Sequence, residues 1–485
     1  MYTRDELNTL FQKFLPKDAI VATVEELSAF ECDALTAYKQ LPQIVLFPET
    51  VEQVQKILRF CYQNKIHVVS RGAGTSLSGG ALPLAEGVLL SLAKFNRILK
   101  IDADNRTASV QAGVRNLAIS QAASKYGLYY APDPSSQIAC SIGGNVAENA
   151  GGVHCLKYGL TTHNILELKV VTVEGEFLTI GSQGLDSSGY DLLALLTGSE
   201  GLLVVMLEVT VKLLPKPDAV QVILAGFDSV VQAGSAVAAI IAANVTPSGL
   251  EMMDNYAIRA AEEFAHAGYP VDAAAILICE LDGASDEVAE ESNTVLEILK
   301  SYNTLELQIS KTEEQCLLIW SGRKGAFPAI GRIAPDYYCM DGTIPRKYLA
   351  SVLEYISNLS TEYNLKVANV FHAGDGNLHP LILYDANIPG ELEKTEKFGA
   401  KILEMCVKVG GSITGEHGVG VEKINQMCLQ FNTLELEQFH RIKHAFDSLG
   451  LLNPGKAIPT LHRCAELGAM HVHNGELPFP NIERF

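Results

Sequence analysis

Residues 68 to 83 read VVSRGAGTSLSGGALP, an apolar strand signal that runs directly into a loop with four glycines. Glycine lets successive backbone amides turn inward and approach an anion closely, so such a loop can form a cradle for phosphate. The spacing of Gly72, Gly74 and Gly79 does not fit the G-x-G-x-x-G pattern of a Rossmann fold, and the residues before the next strand signal, Pro83 among them, are too few for a crossover helix. This segment alone leaves a phosphate-binding loop and a flexible surface loop both open.

A second glycine-rich segment, residues 132 to 159, reads PDPSSQIACSIGGNVAENAGGVHCLKYG. So much glycine costs considerable ordering entropy if the segment binds nothing. A third glycine turn, TGSEGLLVV, occupies residues 197 to 205 ahead of an apolar strand signal. Two glycine cradles in one domain predict a long ligand with a diphosphate at its middle.

The composition limits the classes of partner. The formal net charge of -19 opposes a sequence-independent grip on nucleic acid or on an anionic membrane surface. The ten cysteines contain no C-x-x-C pair, which argues against an iron–sulfur cluster within the chain and indicates reduced thiols in a cytoplasmic protein. The N-terminal residues lack the apolar block of a signal peptide, and charged residues interrupt the most apolar window, residues 192 to 214, so we expect no integral membrane segment.

A length of 485 residues predicts two or more domains. The strand and helix signals that are mixed along the chain predict the α+β class. We place a helical segment at residues 1 to 42, a ligand-binding domain at 43 to 217, a second domain at 218 to 417, and a helical segment at 418 to 485 that returns to the first domain. In the second domain, strands alternate with helices and include a hairpin. This pattern predicts an antiparallel sheet covered by helices on one face.

The hairpin of the second domain, VANVFHAGDGNLHPLILY at residues 367 to 384, has a histidine on each side of its turn, His372 and His379. Residues nearly opposite each other on paired strands are close enough for two imidazoles to bind one ion. Two histidines that flank a turn are also compatible with the polar ends of a buried hairpin. A later glycine-rich stretch, GSITGEHGVG at residues 411 to 420, contains Glu416 and His417, for which core packing gives no reason. Two histidines and one carboxylate with open positions suit a catalytic divalent ion.

Taken together, these motifs resemble a known family. R-G-x-G-T-S-x-x-G-G, P-D-P-x-S, S-I-G-G-N-V-A-x-N-A-G-G, G-S-E-G, H-x-G-D-G-N-x-H and G-E-H-G occur in this order. The chain resembles, from end to end, the FAD-linked oxidases of the vanillyl-alcohol oxidase type. Within them it is similar to the metal-dependent branch that oxidises 2-hydroxy acids such as glycolate, D-lactate and D-2-hydroxyglutarate. The resemblance implies a two-part FAD-binding domain of the vanillyl-alcohol oxidase (PCMH) type, followed by an α+β ferredoxin-like cap domain with an antiparallel sheet.

The resemblance also implies which residues bind FAD. They are Arg71, Gly72, Ala73, Gly74, Thr75, Ser76, Gly79 and Gly80 at the diphosphate, Pro132, Asp133, Ser135, Ser141, Gly143, Gly144, Asn145, Asn149 and Gly152 at the flavin ring and ribityl chain, Glu200, Gly201 and Val205 near the adenosine end, and Asn453 where the chain returns to the flavin. Some members of the family bind FAD covalently through a histidine at the position of Thr75. We therefore expect noncovalent FAD.

At the reaction site the resemblance implies that His372, His379 and Glu416 bind a divalent metal, which Zn, Mn and Fe would all suit, and that His417 is the catalytic base. Arg323 is the candidate to bind the substrate carboxylate, because a guanidinium grips a carboxylate with two parallel hydrogen bonds. Relatives that oxidise a five-carbon diacid carry a further lysine on the next strand, where this chain has YYCM at residues 337 to 340. We therefore predict glycolate as a good substrate, D-lactate as an accepted one and D-2-hydroxyglutarate as a poor one.

Several alternatives stay open at this point: a D-2-hydroxyglutarate-type dehydrogenase, an oxidase that reduces oxygen directly, and a noncatalytic subunit on the same fold. Analogy with related systems implies an iron–sulfur subunit and a second flavin-like subunit as partners, which could recruit the protein to a membrane.

We interpret two other pairs of histidines as structural rather than as metal ligands. His440 and His444 lie one turn apart on a helix without a carboxylate motif, and His471 and His473 indicate a docking surface.

Overall fold

A computed structural model describes residues 2–184 and 188–460. The chain begins with a small layer whose elements are α1 (Arg4–Phe11), β1 (Ile20–Val21), α2 (Val24–Leu27), β2 (Ile44–Leu46), α3 (Val51–Asn64), β3 (His67–Arg71) and β4 (Gly87–Ser91). β2 and β3 lie parallel to β4 on its two sides, and β1 pairs antiparallel with β2. A capping box of Thr50 and Gln53 starts α3. The first glycine loop begins where β3 ends, so a parallel strand positions it.

A second sheet completes the N-terminal half. Its elements and neighbours are β5 (Ile98–Asp102), β6 (Thr107–Gln111), α4 (Asn116–Ala123), β7 (Leu128–Tyr129), α5 (Ile142–Glu148), α6 (Cys155–Tyr158), β8 (Ile165–Val171), β9 (Phe177–Gly181), α7 (Leu192–Leu196), β10 (Val205–Lys212) and β11 (Leu214–Pro215). The antiparallel order is β5-β6-β10-β8-β9, and β7 pairs separately with β11. One continuous hydrophobic core joins this sheet to the first one.

The C-terminal half contains a larger antiparallel sheet. Its elements are β12 (Ala219–Phe227), α8 (Val230–Ala242), β13 (Gly249–Asp254), α9 (Asn255–Ala265), β14 (Ala275–Gly283), α10 (Ser285–Ser301), β15 (Glu306–Ile309), α11 (Glu313–Ile330), β16 (Asp336–Cys339), α12 (Leu349–Tyr363), β17 (Val367–His372), β18 (Pro380–Tyr384) and α13 (Glu391–Lys408). The seven strands follow the order β15-β12-β14-β13-β17-β18-β16. The predicted α+β class and the antiparallel sheet are confirmed.

Helices cover both faces of this sheet, so the prediction of a single covered face was wrong. Ile223 and Ala225 of β12 pack into a core with α8, α10, α12 and α13. Val222 and Leu224, which point the other way, pack into a second core with α9 and α11. The sequence AVQVILAGF is apolar at successive positions, as expected for a strand that is buried on both sides.

After α13 the chain passes through the G-E-H-G loop to α14 (Met427–Gln430) and α15 (Thr433–Phe446) and then approaches β3. The Val68 amide donates to the Leu451 carbonyl at 2.8 Å, and the Asn453 amide donates to the Val68 carbonyl at 2.8 Å. His471 and His473 lie outside the described residues. Across residues 2–184 and 188–460, no helix combines the length and the apolar character required to cross a membrane.

Candidate active site

Both glycine loops border one cavity of about 400 Å³, and α11 and the G-E-H-G loop close its other side. Fourteen of the residues predicted to bind FAD line this cavity: Arg71, Gly72, Ala73, Gly74, Thr75, Ser76, Gly80, Ser135, Ser141, Gly143, Gly144, Asn145, Glu200 and Gly201. The other predicted residues, Gly79, Pro132, Asp133, Asn149, Gly152, Val205 and Asn453, are not among the residues that line it. Two segments that are distant in sequence therefore meet at a single site.

Close packing explains two of the glycine positions in the motifs. A Cβ atom on Gly72 would lie 2.2 Å from the Ser141 hydroxyl oxygen, and one on Gly143 would lie 2.6 Å from the Ala112 Cβ. The first loop therefore presents bare backbone beside α5. Two residues that line the cavity each have a buried polar atom without a hydrogen-bond partner, Asn145 Nδ2 and Glu148 Oε2. Exposed backbone and unpaired polar atoms in one cavity fit a long, polar cofactor such as FAD.

Glu200 and Asn453 connect segments around the cavity. The Glu200 carboxylate accepts hydrogen bonds from the Val419 and Gly420 amides, both at 2.7 Å, and so joins the third glycine turn to the G-E-H-G loop. The side-chain amide of Asn453 donates through Nδ2 to the backbone carbonyls of Gly80 at 3.0 Å and Glu200 at 2.6 Å. Asn453 thus supports two glycine turns from behind the cavity.

The predicted metal ligands converge at one end of the cavity. His372 Nε2 lies 3.3 Å and His379 Nε2 lies 2.8 Å from the same oxygen, Oε1 of Glu416. One ligand atom from each residue lies within 4.8 Å of the other two, and both imidazoles are buried. Burial would raise the pKa of Glu416, but hydrogen bonds from His372 and His379 hold it well below its usual value. Two imidazole nitrogens and a carboxylate oxygen form a donor set that fits Zn, Mn or Fe in its divalent state.

A buried carboxylate orients the first histidine. Glu251 of β13 is the Cα partner of His372 in the antiparallel pairing with β17, so the two side chains project from the same face of the sheet. Glu251 Oε1 lies 2.8 Å from His372 Nδ1, which turns Nε2 of that ring toward Glu416. The other oxygen of Glu251, Oε2, accepts from Arg323 Nε at 2.8 Å and lies 2.7 Å from Arg323 Nη2.

This pairing gives the guanidinium of Arg323 a partner within the protein. Its side chain is 2% exposed, it faces Glu251, and it is not among the residues that line the cavity. The neighbouring Lys324 is exposed and lines the cavity together with Phe327 and Pro328 of α11. The role of Arg323 at the substrate carboxylate stays a prediction.

His417 stacks on His379 with 4.9 Å between ring centroids and 7° between the ring planes. Burial lowers the pKa of His417 to about 4, so its imidazole is neutral at pH 7. Its Nδ1 has no hydrogen-bond partner, and its Nε2 lies 4.0 Å from Glu416 Oε1. The side chain borders the cavity beside the predicted metal ligands.

The loop that carries Glu416 and His417 is held by one carboxylate that sequence analysis did not identify. Asp341 follows β16 and is fully buried. Its Oδ2 accepts hydrogen bonds from the backbone amides of Gly415 at 3.1 Å and His417 at 2.9 Å, and its Oδ1 accepts from Glu416 at 3.2 Å. The buried ammonium of Lys423 lies 3.4 Å from Asp341 Oδ2.

Glu251, Asp341 and Lys324 are the functional candidates that sequence reasoning missed. Glu251 carries a usable signal, because an acidic residue within the apolar run GLEMMD requires a buried partner. β13 is buried at all six positions, so its burial does not alternate along the strand. Among the described residues, no carboxylate forms a hydrogen bond with His440. The Nε2 atom of His440 lies 2.9 Å from the Pro459 carbonyl oxygen.

Two protein families match this chain, and several known proteins are similar to it in sequence. The family described as "FAD binding domain" matches residues 42–181, and the family described as "FAD linked oxidases, C-terminal domain" matches residues 216–457. The chain is 63% identical over 474 residues to glycolate oxidase subunit GlcD of Escherichia coli (strain K12). This alignment covers 98% of this chain and 95% of that protein. It is 35% identical to glycolate oxidase subunit GlcD of Bacillus subtilis (strain 168), over 94% of this chain and 97% of that protein. It is 31% identical to D-lactate dehydrogenase of Anaerostipes hadrus, over 93% of this chain and 97% of that protein.

Solved structures share the fold at low identity. p-Cresol methylhydroxylase with substrate bound superposes with a TM-score of 0.79 at 16% identity, covering 94% of this chain and 97% of that one. Alkyldihydroxyacetonephosphate synthase gives a TM-score of 0.73 at 16% identity, covering 94% of this chain and 85% of that one. The predicted PCMH-type architecture is confirmed.

Proposed function

Because this chain belongs to the family of FAD-linked oxidases, we propose that it catalyses the FAD-dependent oxidation of a small 2-hydroxy acid. Glycolate is the expected substrate and D-lactate a second one, in keeping with the names of the relatives at 63%, 35% and 31% identity. One observation carries the proposal: two imidazoles and a carboxylate converge beside a neutral histidine, at the end of a cavity lined by both glycine loops.

When bound, FAD supplies a two-electron acceptor for the hydrogen on the substrate carbon, and a divalent ion supplies a Lewis acid at the hydroxyl oxygen. The chain's contribution is to orient both groups and to move one proton. His372, His379 and Glu416 would hold the ion, and the residues of the two glycine loops would hold FAD. Thr75 lines the cavity where a covalent histidine stands in some relatives, so FAD is expected to be noncovalent.

His417 is the proposed proton acceptor. Since burial keeps its pKa near 4, the ring is neutral at physiological pH and can take the substrate hydroxyl proton on Nε2. The stacking on His379 and the amide hydrogen bond to Asp341 fix the ring and the backbone of this residue. Asp341 therefore sets the distance between the base and the metal ligands.

Two neighbouring cations compete for the substrate carboxylate. The family resemblance assigns that role to Arg323, whereas the geometry favours Lys324, because Lys324 lines the cavity and the guanidinium of Arg323 is paired with Glu251. A Lys324 ammonium at the rim would bind the single carboxylate of a short substrate. β16 offers no second cation: Cys339 shares the α11 face with the histidines, and Tyr338 and Met340 pack into the opposite core.

The decisive experiment is anaerobic mixing of the purified yellow protein with glycolate, D-lactate, L-lactate and D-2-hydroxyglutarate, followed by absorbance at the flavin band. We expect bleaching with glycolate and D-lactate, a poor response to D-2-hydroxyglutarate, and loss of bleaching after treatment with EDTA. No bleaching with any of the four acids would refute the proposed function and leave the fold intact. A higher specificity constant for the diacid would refute the proposed substrate size.

The E. coli and B. subtilis relatives are named as subunits, so we further propose that this chain works in a complex. The partners expected are an iron–sulfur subunit and a second flavin-like subunit that take electrons from the reduced flavin. Cytoplasmic location and recruitment to a membrane by those partners stay predictions. Peroxide formed in step with glycolate consumption would instead favour a direct oxidase.

A further inference from the structure

A polar contact joins the FAD-binding half to the C-terminal sheet on the side of α6. His154, the residue before α6, reaches Glu280 of β14, and two α6 residues reach Asp282 two positions further along that strand. Lys157 Nζ lies 2.7 Å from Asp282 Oδ1, and the Tyr158 hydroxyl donates to Asp282 Oδ2 at 2.7 Å. The helix and the strand are therefore linked at two carboxylates.

His154 differs from its neighbours because it bridges two carboxylates. Its Nδ1 lies 2.8 Å from Asp133 Oδ2, and its Nε2 lies 2.9 Å from Glu280 Oε1. Both ring nitrogens must donate to satisfy these acceptors, which requires the doubly protonated ring. Burial opposes that state, but Asp133 and Glu280 raise the pKa of His154 well above its usual value.

The bridge continues into α11. The indole Nε1 of Trp320 donates to the second oxygen of Glu280 at 2.5 Å. Lys324 and Phe327 follow Trp320 at helical spacings of four and seven, so they project from the same side of α11. Both line the cavity, and the ring of Phe327 lies edge-on to His379 with 6.4 Å between centroids.

At its other end the bridge reaches the loop beside the flavin site. Asp133 does not line the cavity, but Pro134, Ser135 and Ser136, which follow it directly, do. The carboxylate of Asp133 also accepts from the His154 amide at 3.2 Å, which ties the loop to the start of α6. The series Asp133–His154–Glu280–Trp320 thus connects the cofactor wall of the cavity to its α11 wall.

We infer that His154 is a positioning residue, which sets the distance between the loop at residues 133 to 136 and the substrate-facing side of α11. This inference rests on the proposed function. Without the imidazolium, Asp133 and Glu280 become two partly buried carboxylates facing each other, and their repulsion moves the two walls apart. A displacement of about 1 Å between a substrate and its reaction partner can lower the rate by about a hundredfold.

Asp282 provides a matched control. It belongs to the same interface and the same strand face as Glu280, and its carboxylate bonds to Lys157 and Tyr158 rather than to α11. Asp282→Asn removes one interface charge and leaves the Asp133–His154–Glu280–Trp320 series intact. A loss of interface stability alone would affect this variant and a His154 variant alike.

The experiment compares wild type, His154→Gln, Asp282→Asn and the double variant His154→Gln/Glu280→Gln, each with FAD bound. A glutamine at 154 can bridge Asp133 to a glutamine at 280, because an amide both donates and accepts. We expect His154→Gln to slow anaerobic flavin reduction by glycolate about 10- to 100-fold with FAD and metal content retained. The double variant should recover most of this loss, and Asp282→Asn should stay within about twofold of wild type by the same reasoning.

Trp320 is the only tryptophan in the sequence, so its fluorescence reports on this contact whether or not the protein is active. We expect His154→Gln to change the emission maximum, the double variant to restore it, and Asp282→Asn to leave it unchanged.

Identical emission and reduction rates in His154→Gln and wild type would overturn the inference, as would an equal defect in Asp282→Asn. If His154→Gln does not fold, Trp320→Phe breaks the other end of the series and should reproduce the kinetic defect; a wild-type rate would count against the inference. A wild type that no 2-hydroxy acid reduces would refute the proposed function, and the emission data would still decide the role of His154.

Discussion

Substitution of Glu251 by glutamine should weaken metal binding while FAD stays bound. Glu251 accepts from Arg323 through one oxygen and contacts His372 Nδ1 through the other. A glutamine must keep its single oxygen on the guanidinium, which has no acceptor of its own to offer, and its NH₂ group then faces Nδ1. That nitrogen must accept a hydrogen bond, so the ring proton moves to Nε2, the atom that faces Glu416. A protonated Nε2 cannot bind a metal.

The size of the effect can be estimated from the same contacts. Loss of a carboxylate that orients a metal-binding histidine costs about 10- to 100-fold in metal affinity, or about 1.4 to 2.8 kcal/mol. The protein should also lose stability, because Arg323 is 2% exposed and would keep its charge without a counter-charge. Breaking a buried pair in this way costs about 3 to 5 kcal/mol, and the remaining amide oxygen favours the lower end.

The assay is competition for the metal with a chelator of known affinity, with FAD content and thermal unfolding measured on the same samples. Asp254→Asn is the matched control, because Asp254 is a buried carboxylate on the same strand that binds Asn369 and the start of α9 instead of the site. The double variant Glu251→Gln/Arg323→Met should regain stability and part of the metal affinity, because the amide oxygen is no longer held by the guanidinium and can accept from His372 Nδ1. Equal metal affinity in Glu251→Gln and wild type would refute the reasoning.

Further predictions follow from the same geometry. His417→Ala should lower the rate of flavin reduction by about 10²- to 10⁴-fold with FAD and metal retained, whereas His440→Ala should leave the rate unchanged. Since the pKa of His417 is about 4, kcat/KM should fall on the acid side near pH 4 as this base becomes protonated. A fall near pH 6.5 instead would contradict the burial of His417. Lys324→Met should raise the KM for glycolate about tenfold with a smaller change in kcat; an unchanged KM in this variant, with a raised one in Arg323→Met, would return the carboxylate to Arg323. His372→Ala should release the metal and leave FAD bound, and loss of both together would mean that the histidine is structural. Acid precipitation should leave FAD in the supernatant; a yellow pellet would show that it is covalently bound.

The sequence motifs identified the parts of the site that depend on local chemistry. The glycines of both loops, the histidines of the hairpin and the Glu416–His417 pair could be found because each is required where it stands by a turn, a close approach or a ligand atom. The residues that support them could not be found in this way. Glu251 lies far from His372 in sequence, and only the antiparallel register of β13 with β17 places them opposite each other. No local pattern encodes that register.

The same limit explains Arg323 and the covered faces of the sheet. The sequence WSGRKGAFP gives no sign that the Arg323 guanidinium has a partner, whereas the fold pairs it with Glu251. Likewise, continuous apolar runs such as AVQVILAGF are compatible with one or two covered faces until the helices are placed. Tertiary packing decides which partner each charged side chain meets and which face of each strand is exposed to solvent.

The G-E-H-G loop is held from both halves of the molecule: Asp341 binds the amides of residues 415 to 417, and Glu200 binds those of Val419 and Gly420. This arrangement has a consequence for biosynthesis. Synthesis runs from the N-terminus, and the loop emerges late, after both of its anchors have been made. An incomplete chain on the ribosome can therefore form its glycine loops but has neither the proposed base, His417, nor the third proposed metal ligand, Glu416. If the proposed mechanism holds, a half-made protein cannot oxidise the substrate.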